Sequence, residues 1–148
     1  MMTYEQQLIA IAAPPSPNVI CKRQGMSYLE GYYVKLLLNR IFGPTSVHII
    51  DLDLRQAQSS NGIADNGKPR TEVEYTATIT IKVIFANGEH RVLKGTGGGC
   101  GYGREAHQDA MKTAETDAHK RACTHLGPAF GLTLYDGGNP LHDGSPCC

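Results

Sequence analysis

Residues 71–85, TEVEYTATITIKVIF, repeat with a period of two. Thr71, Val73, Tyr75, Ala77, Ile79, Ile81, Val83 and Phe85 share one face, and Glu72, Glu74, Thr76, Thr78, Thr80 and Lys82 share the other. Successive strand side chains point to opposite faces, so the run predicts a strand with one buried face. Asn87-Gly88 follows, a dipeptide suited to a type I′ turn, and EHRVLKGT is the expected return strand. Upstream, TSVHIIDLDLRQA also alternates, but its apolar set changes parity between Val47, Ile49 and Ile50, Leu52, Leu54. One extra residue near Ile49–Ile50 accounts for the slip, which predicts a β-bulge. QSSNGIADNGKPR reads as the loop between these strands.

The flanking segments carry a helical period. TYEQQLIAIAA predicts a short helix stopped by Pro14-Pro15. SPNVICKRQGM reads as extended connection, with a short strand at Asn18–Arg23. In SYLEGYYVKLLLNRIFGP, Ser27 and Glu30 form a capping-box pattern. Leu29, Tyr33, Leu36, Leu37 and Ile41 then recur at helical spacing before Gly43-Pro44, predicting a helix over 28–42. REAHQDAMKTAETDAHKRACTHL predicts a long helix. Ala106, Ala110, Ala114, Ala118, Ala122 and Leu126 form an unbroken i+4 row, small enough for very close packing. The fold class is therefore α+β: an antiparallel three-stranded meander, a β-β-β-α core, with a long helix packed on it. Residues 1–135 are expected to form one domain and residues 136–148 a flexible C-terminal tail.

Composition narrows the function little. The 148 residues carry 14 basic and 14 acidic side chains. Two of the acids, Asp136 and Asp143, lie in the tail, so residues 1–126 carry 14 basic against 12 acidic. Any basic surface must come from folding. The five cysteines contain no Cys-x-x-Cys, so neither a disulfide framework nor a zinc knuckle is implied. No leader or membrane-spanning run is present, and a cytoplasmic location is expected.

GTGGGCGYG, at 95–103, poses a choice between phosphate cradle, flexible turn and close backbone approach. GYGREA matches G-x-G-x-x-A through Gly101, Gly103 and Ala106, but that fingerprint works in a βαβ unit, and no second parallel strand follows. No G-K-[ST] follows either, which excludes a P-loop. The glycines are read as a crossing where strand and helix meet tightly. His119 and Cys123, spaced i, i+4, with His125 nearby, suggest metal ligands, yet no fourth ligand clusters with them, and no metal or other cofactor is expected. Catalytic constellations have no local signature. Lys112, His119, Lys120 and Arg121, with Arg104 at the start, make the long helix a candidate nucleic-acid contact, set against its four acids Glu105, Asp109, Glu115 and Asp117.

AETDAHKRACTHLGPAFG resembles the signature helix of the Rad fifty-two family of single-strand annealing proteins through Thr116, Asp117, Lys120, Arg121, Ala122, Gly127 and Gly131. YLEGYYVKLLLNRIFG resembles a second family motif through Tyr28, Glu30, Gly31, Val34, Asn39, Phe42 and Gly43. The resemblance spans about residues 4–135. It implies ring-shaped homo-oligomers that bind single-stranded DNA and anneal complementary strands in recombination and repair, without ATP and without catalytic residues. Lys120 and Arg121 would be phosphate contacts. Tyr33 stands where relatives often carry arginine, Thr124 replaces another basic residue, and Pro44 replaces an aromatic. Lys35, Arg40, Arg104 and Lys112 are the residues expected to compensate, and Tyr33 to stack a base. A minimal bacterial- or phage-type protein is expected, with a host recombination or single-strand-binding protein as a further partner. The alternatives are a double-stranded-RNA module, whose helix–three strands–helix order is the same, a nucleotide-binding enzyme using Gly101, Gly103 and Ala106, and a purely structural oligomer.

Overall fold

The computed structural model describes residues 1–134; the expected tail at 136–148 lies outside the described residues. Helix α1 (Tyr4–Ala12) begins at a capping box between Thr3 and Gln6. A 3-10 turn at Pro17–Val19 leads into a hairpin of β1 (Ile20–Arg23) and β2 (Met26–Leu29). Helix α2 (Gly31–Phe42) precedes β3 (Val47–Ile63), β4 (Pro69–Ile84) and β5 (His90–Tyr102), and α3 (Ala106–Thr124) follows. The three long strands form one antiparallel sheet in the order β3-β4-β5. The expected α+β class and meander are therefore present, with a small second sheet beside them.

The alternating face of β4 is buried from Val73 to Phe85 except at Tyr75, which is half-buried. It packs with Leu93 of β5, with Val34, Leu38, Ile41 and Phe42 of α2, and with Phe130. The bulge stands where the parity change placed it, as a register shift between Ile49 and Asp51. A second shift, between Gln56 and Gln58, carries β3 on to Ile63, so most of the expected loop is strand.

Turn chemistry explains two further departures. Gly88 N donates to Phe85 O at 2.9 Å, and Phe85 N to Glu89 O at 2.7 Å; only Gly88 has positive φ, +89°. This is a three-residue loop, a type I turn closed by a left-handed glycine, not type I′. Ala64–Lys68 repeats it around Gly67. The type I′ geometry falls instead at Gln24-Gly25, φ +52° and +78°, between β1 and β2. Ser27 and Tyr28 are therefore strand residues, and α2 starts at Gly31 with Glu30 making no side-chain cap. Its buried stripe is Gly31, Val34, Leu38, Ile41 and Phe42, which leaves Leu36 exposed. Gly31 is needed for proximity: a Cβ there would lie 2.5 Å from Thr116 Cγ2.

The glycine run is strand, the second half of β5, not a crossing. The expected close approach is nonetheless present. Gly95, Gly97, Gly99 and Gly101 face α3, and Cβ atoms on them would strike the backbone of Ala122, Ala118, Ala110, Ala114 and Ala106. Two strand residues advance about 6.7 Å and four helix residues about 6.0 Å, so an i+2 glycine row can run along an i+4 alanine row, Gly99 falling between Ala110 and Ala114. Gly98 points away: its Cβ would meet only Tyr75 O, at 3.8 Å. Neighbouring glycines should thus respond oppositely. Gly99→Ala, whose Cβ would sit 2.5 Å from Ala110 O and Ala114 N, is expected to cost about 1–3 kcal/mol in urea denaturation. Gly98→Ala is expected to be neutral or to stabilise by about 0.5 kcal/mol. Equal effects at the two positions would disprove the zipper geometry.

Candidate nucleic-acid interface

Three sides of α3 have different fates. The alanine row lies on the sheet, and a second side turns inward, with His119 and Cys123 buried. The remaining flank carries the cations. Lys112, Thr113, Thr116, Asp117 and Lys120 line a shallow depression with Gly98 of β5. Lys112 and Lys120 are eight residues apart, hence about 12 Å along the helix axis and about 80° around it, and both line this depression. Lys120 is half-buried, its Nζ 5.3 Å from the Tyr28 ring centroid, a cation–π contact that holds the ammonium between β2 and the depression.

Lys120 and Arg121, expected together in one groove, line different depressions that adjoin at Gly98 and Asp117. Arg121 Nε donates to Asp117 Oδ2 at 3.1 Å, and the same carboxylate oxygen accepts Gly98 N at 3.1 Å. Asp117 thereby ties α3 to the free edge of β5. Arg121 lines one depression with Lys94, Gly95, Thr96, Thr124 and His125 and another with Thr76, Thr78, Gly98 and Asp117. Thr124, at a position where a basic residue was expected, donates its hydroxyl back to Arg121 O at 2.6 Å.

The other candidates are dispersed. Tyr33 is half-buried against the main core. Lys35 is exposed on α2, Arg40 is exposed in its last turn, and Arg104 is exposed in the 3-10 turn before α3. None of these four lines either depression. Lys94 was missed in the sequence because a lone lysine on an alternating strand carries no motif. Tyr28 was noted only as a motif residue, because its contact with Lys120 depends on the β1–β2 hairpin.

His119, Cys123 and His125, weighed above as metal ligands, do not form one cluster. His119 Nδ1 and Cys123 Sγ are 3.7 Å apart and buried, while His125 is exposed at the helix end. Among the described residues no three metal-binding side chains come together. Burial, then the positive charge of Lys35, lowers His119 to about 4, and burial raises Cys123 to about 12. GYGREA is likewise accounted for: Gly101 lies in an antiparallel strand against Ala106, and the described residues form no βαβ frame for a dinucleotide. The α2–β3–β4–β5–α3 order is that of a double-stranded-RNA module, but the first turn of α3 carries Asp109 and no lysine.

A three-stranded antiparallel meander with a long helix laid on it defines a β-β-β-α module. The family model described as "Rad52/22 family double-strand break repair protein" matches residues 11–140. The DNA repair and recombination protein RAD52 of Saccharomyces cerevisiae is 34% identical over 134 residues, covering 81% of this chain and 26% of the yeast protein. Those of Candida glabrata and Kluyveromyces lactis are 34% and 33% identical, with 24% and 28% of their lengths covered. This chain belongs to the Rad52/22 family and spans about a quarter of the length of these relatives. No helix among the described residues is long and apolar enough to cross a membrane.

The buried imidazole makes acid stability a readout of this packing. His119 is depressed in the folded state to about 4, against about 6.5 unfolded. Between those values the unfolded chain binds the proton and the folded chain does not. Stability is therefore intact above about pH 6.5 and falls toward pH 4, by on the order of 3 kcal/mol. Urea midpoints measured at pH 7 and pH 4.5 should diverge strongly for the parent and less for His119→Gln or His119→Leu. An equal acid loss in all three would rule out His119 as its source.

Proposed function

We propose that residues 1–135 form an annealing unit that binds single-stranded DNA, assembles as a homo-oligomeric ring and pairs complementary strands without ATP in recombination and repair. The observation that carries this reading is the Lys112–Lys120 depression on the helix that bears the family motif. Two lysines about 12 Å apart along the axis of a rigid helix neutralise backbone phosphates without reading base edges. Bases held by the backbone alone stay free for a second strand, whose approach is eased because phosphate repulsion is reduced. Annealing then requires binding alone, with no bond made or broken. A host recombination or single-strand-binding protein is the expected further partner, and the cytoplasm the expected location.

Exposed apolar surface supports the oligomer. α3 lies chiefly over β4 and β5. Ile49 and Ile50 of β3 and Tyr32 and Leu36 of α2 are left exposed. Side chains of this kind on a strand and helix beside the core suit contact with a neighbouring copy.

Two measurements test the reading. Light scattering is expected to give a large homo-oligomer; a monomer at micromolar concentration that anneals normally would contradict the ring. The Lys112→Gln, Lys120→Gln double variant should keep its urea midpoint but bind oligothymidylate more weakly. The slope of log affinity against log salt should shrink by roughly 1.4. An unchanged slope removes these lysines from the interface.

A further inference from the structure

In the order β3-β4-β5, strand β5 is an edge strand, paired on one side with β4. At the β4–β5 turn Phe85 N donates to Glu89 O at 2.7 Å, and in an antiparallel ladder bonded pairs recur at every second residue. Counted from that pair, the odd-numbered residues from Arg91 to Gly101 bond to β4. The even-numbered ones, from Val92 to Cys100, present their amides to the open side. Such a row is a template for another strand, and proteins blunt it with bulges, prolines or charged side chains. β3, the other edge, carries two bulges, between Ile49 and Asp51 and between Gln56 and Gln58. Residues 95–101 of β5, GTGGGCG, have no charge and no proline, and their pairing with β4 runs without a register shift. Five of the seven are glycine, so the edge main chain is bare.

Protection comes from α3. Asp117 Oδ2 accepts Gly98 N at 3.1 Å, in the middle of the bare segment. Gly97 packs against the main chain of Asp117 and Ala118, which brings the helix near enough for a short side chain to reach the edge. Arg121 Nε donates to the same oxygen at 3.1 Å and fixes the carboxylate there. On the other face a Cβ at Gly98 would meet only Tyr75 O, at 3.8 Å, so no side chain screens the amide from that direction.

We propose that Asp117 is a lock on the edge of β5, and that the unlocked edge accepts the same segment of a second copy. Two copies of 95–101 pair antiparallel about Gly98, which sets Thr96 of one opposite Cys100 of the other with no like charges directly opposed. The bulges of β3 break its own row of amides and make it a poorer partner. The pairing draws Arg121 of both copies toward the shared edge, so salt that screens them favours it. This edge lies across the sheet from Ile49 and Ile50, and the lock leaves assembly to that other side. The inference does not depend on strand binding.

The test uses the protein without DNA, in salt high enough to screen the α3 cations. It compares the parent, Asp117→Ala, and Asp117→Ala combined with Gly98→Lys. Hydrogen exchange at the Gly98 amide, followed by mass spectrometry of overlapping fragments, is expected to be about tenfold or more faster in Asp117→Ala than in the parent. Light scattering should show Asp117→Ala growing beyond the size of the parent, with a rise in thioflavin fluorescence. Gly98→Lys has room for its side chain and places a lysine opposite its own copy, so the combined variant should return to the parent's size. Suppression of growth without recovery of the urea midpoint separates edge pairing from aggregation through unfolding. The lock is overturned if Gly98 exchanges equally in the parent and Asp117→Ala, if Asp117→Ala keeps the parent's size, or if the added lysine leaves its growth unchanged.

Discussion

The separation between α3 and β5 is set by what both surfaces lack. Four glycines on one face of the strand meet the backbone of an alanine row on the helix, and a single added methyl would collide with main chain. Main chain cannot swing aside as a side chain does, so the approach is all-or-none. Depth follows from that contact, and so does the rotation of α3 about its axis. With the alanines committed to the sheet, His119 and Cys123 must turn into the core, and Lys112, Lys120 and Arg121 are left outward.

Electrostatics at the outer flank depends on this rotation. Asp117 stands at the centre, binding Gly98 of the strand and Arg121 of its own helix through one oxygen. A carboxylate there looks counterproductive on a phosphate-binding face. Its position explains its presence: it satisfies an edge amide that would otherwise be open to pairing with another chain. It also orders a guanidinium whose outer nitrogens remain free. Lys120 is ordered differently, over the face of Tyr28, so the two adjacent cations are held by independent supports.

The legible parts of the fold were those in which side chains report backbone geometry. The period-two run at 71–85, the parity slip at Ile49–Ile50 and the alanine row all survive in the structure. The misread parts lacked such a reporter. Glycine has no side chain to alternate, so residues 97–102 gave no strand signal although β5 runs through them. Ser27 and Glu30 matched a capping box, yet a two-residue hairpin claimed Ser27 for pairing with Lys22. In α2 that displaced start moved the buried stripe onto Val34 and Leu38, where Leu36 had been expected.

The candidate site divides in the same way. Sequence by itself determined that cations lie on a long helix with one face reserved for close packing, because helical period and residue size are local properties. It also carried the motif residues that tie the chain to its family. Only tertiary structure decided which neighbours those cations acquire. Lys120 meets an aromatic ring from a hairpin more than ninety residues earlier, and Arg121 shares a depression with a lysine of the neighbouring strand. Such pairings depend on how far a strand extends and how a helix is rotated upon it. Both were settled by glycines whose identity announces nothing until the helix is laid against them.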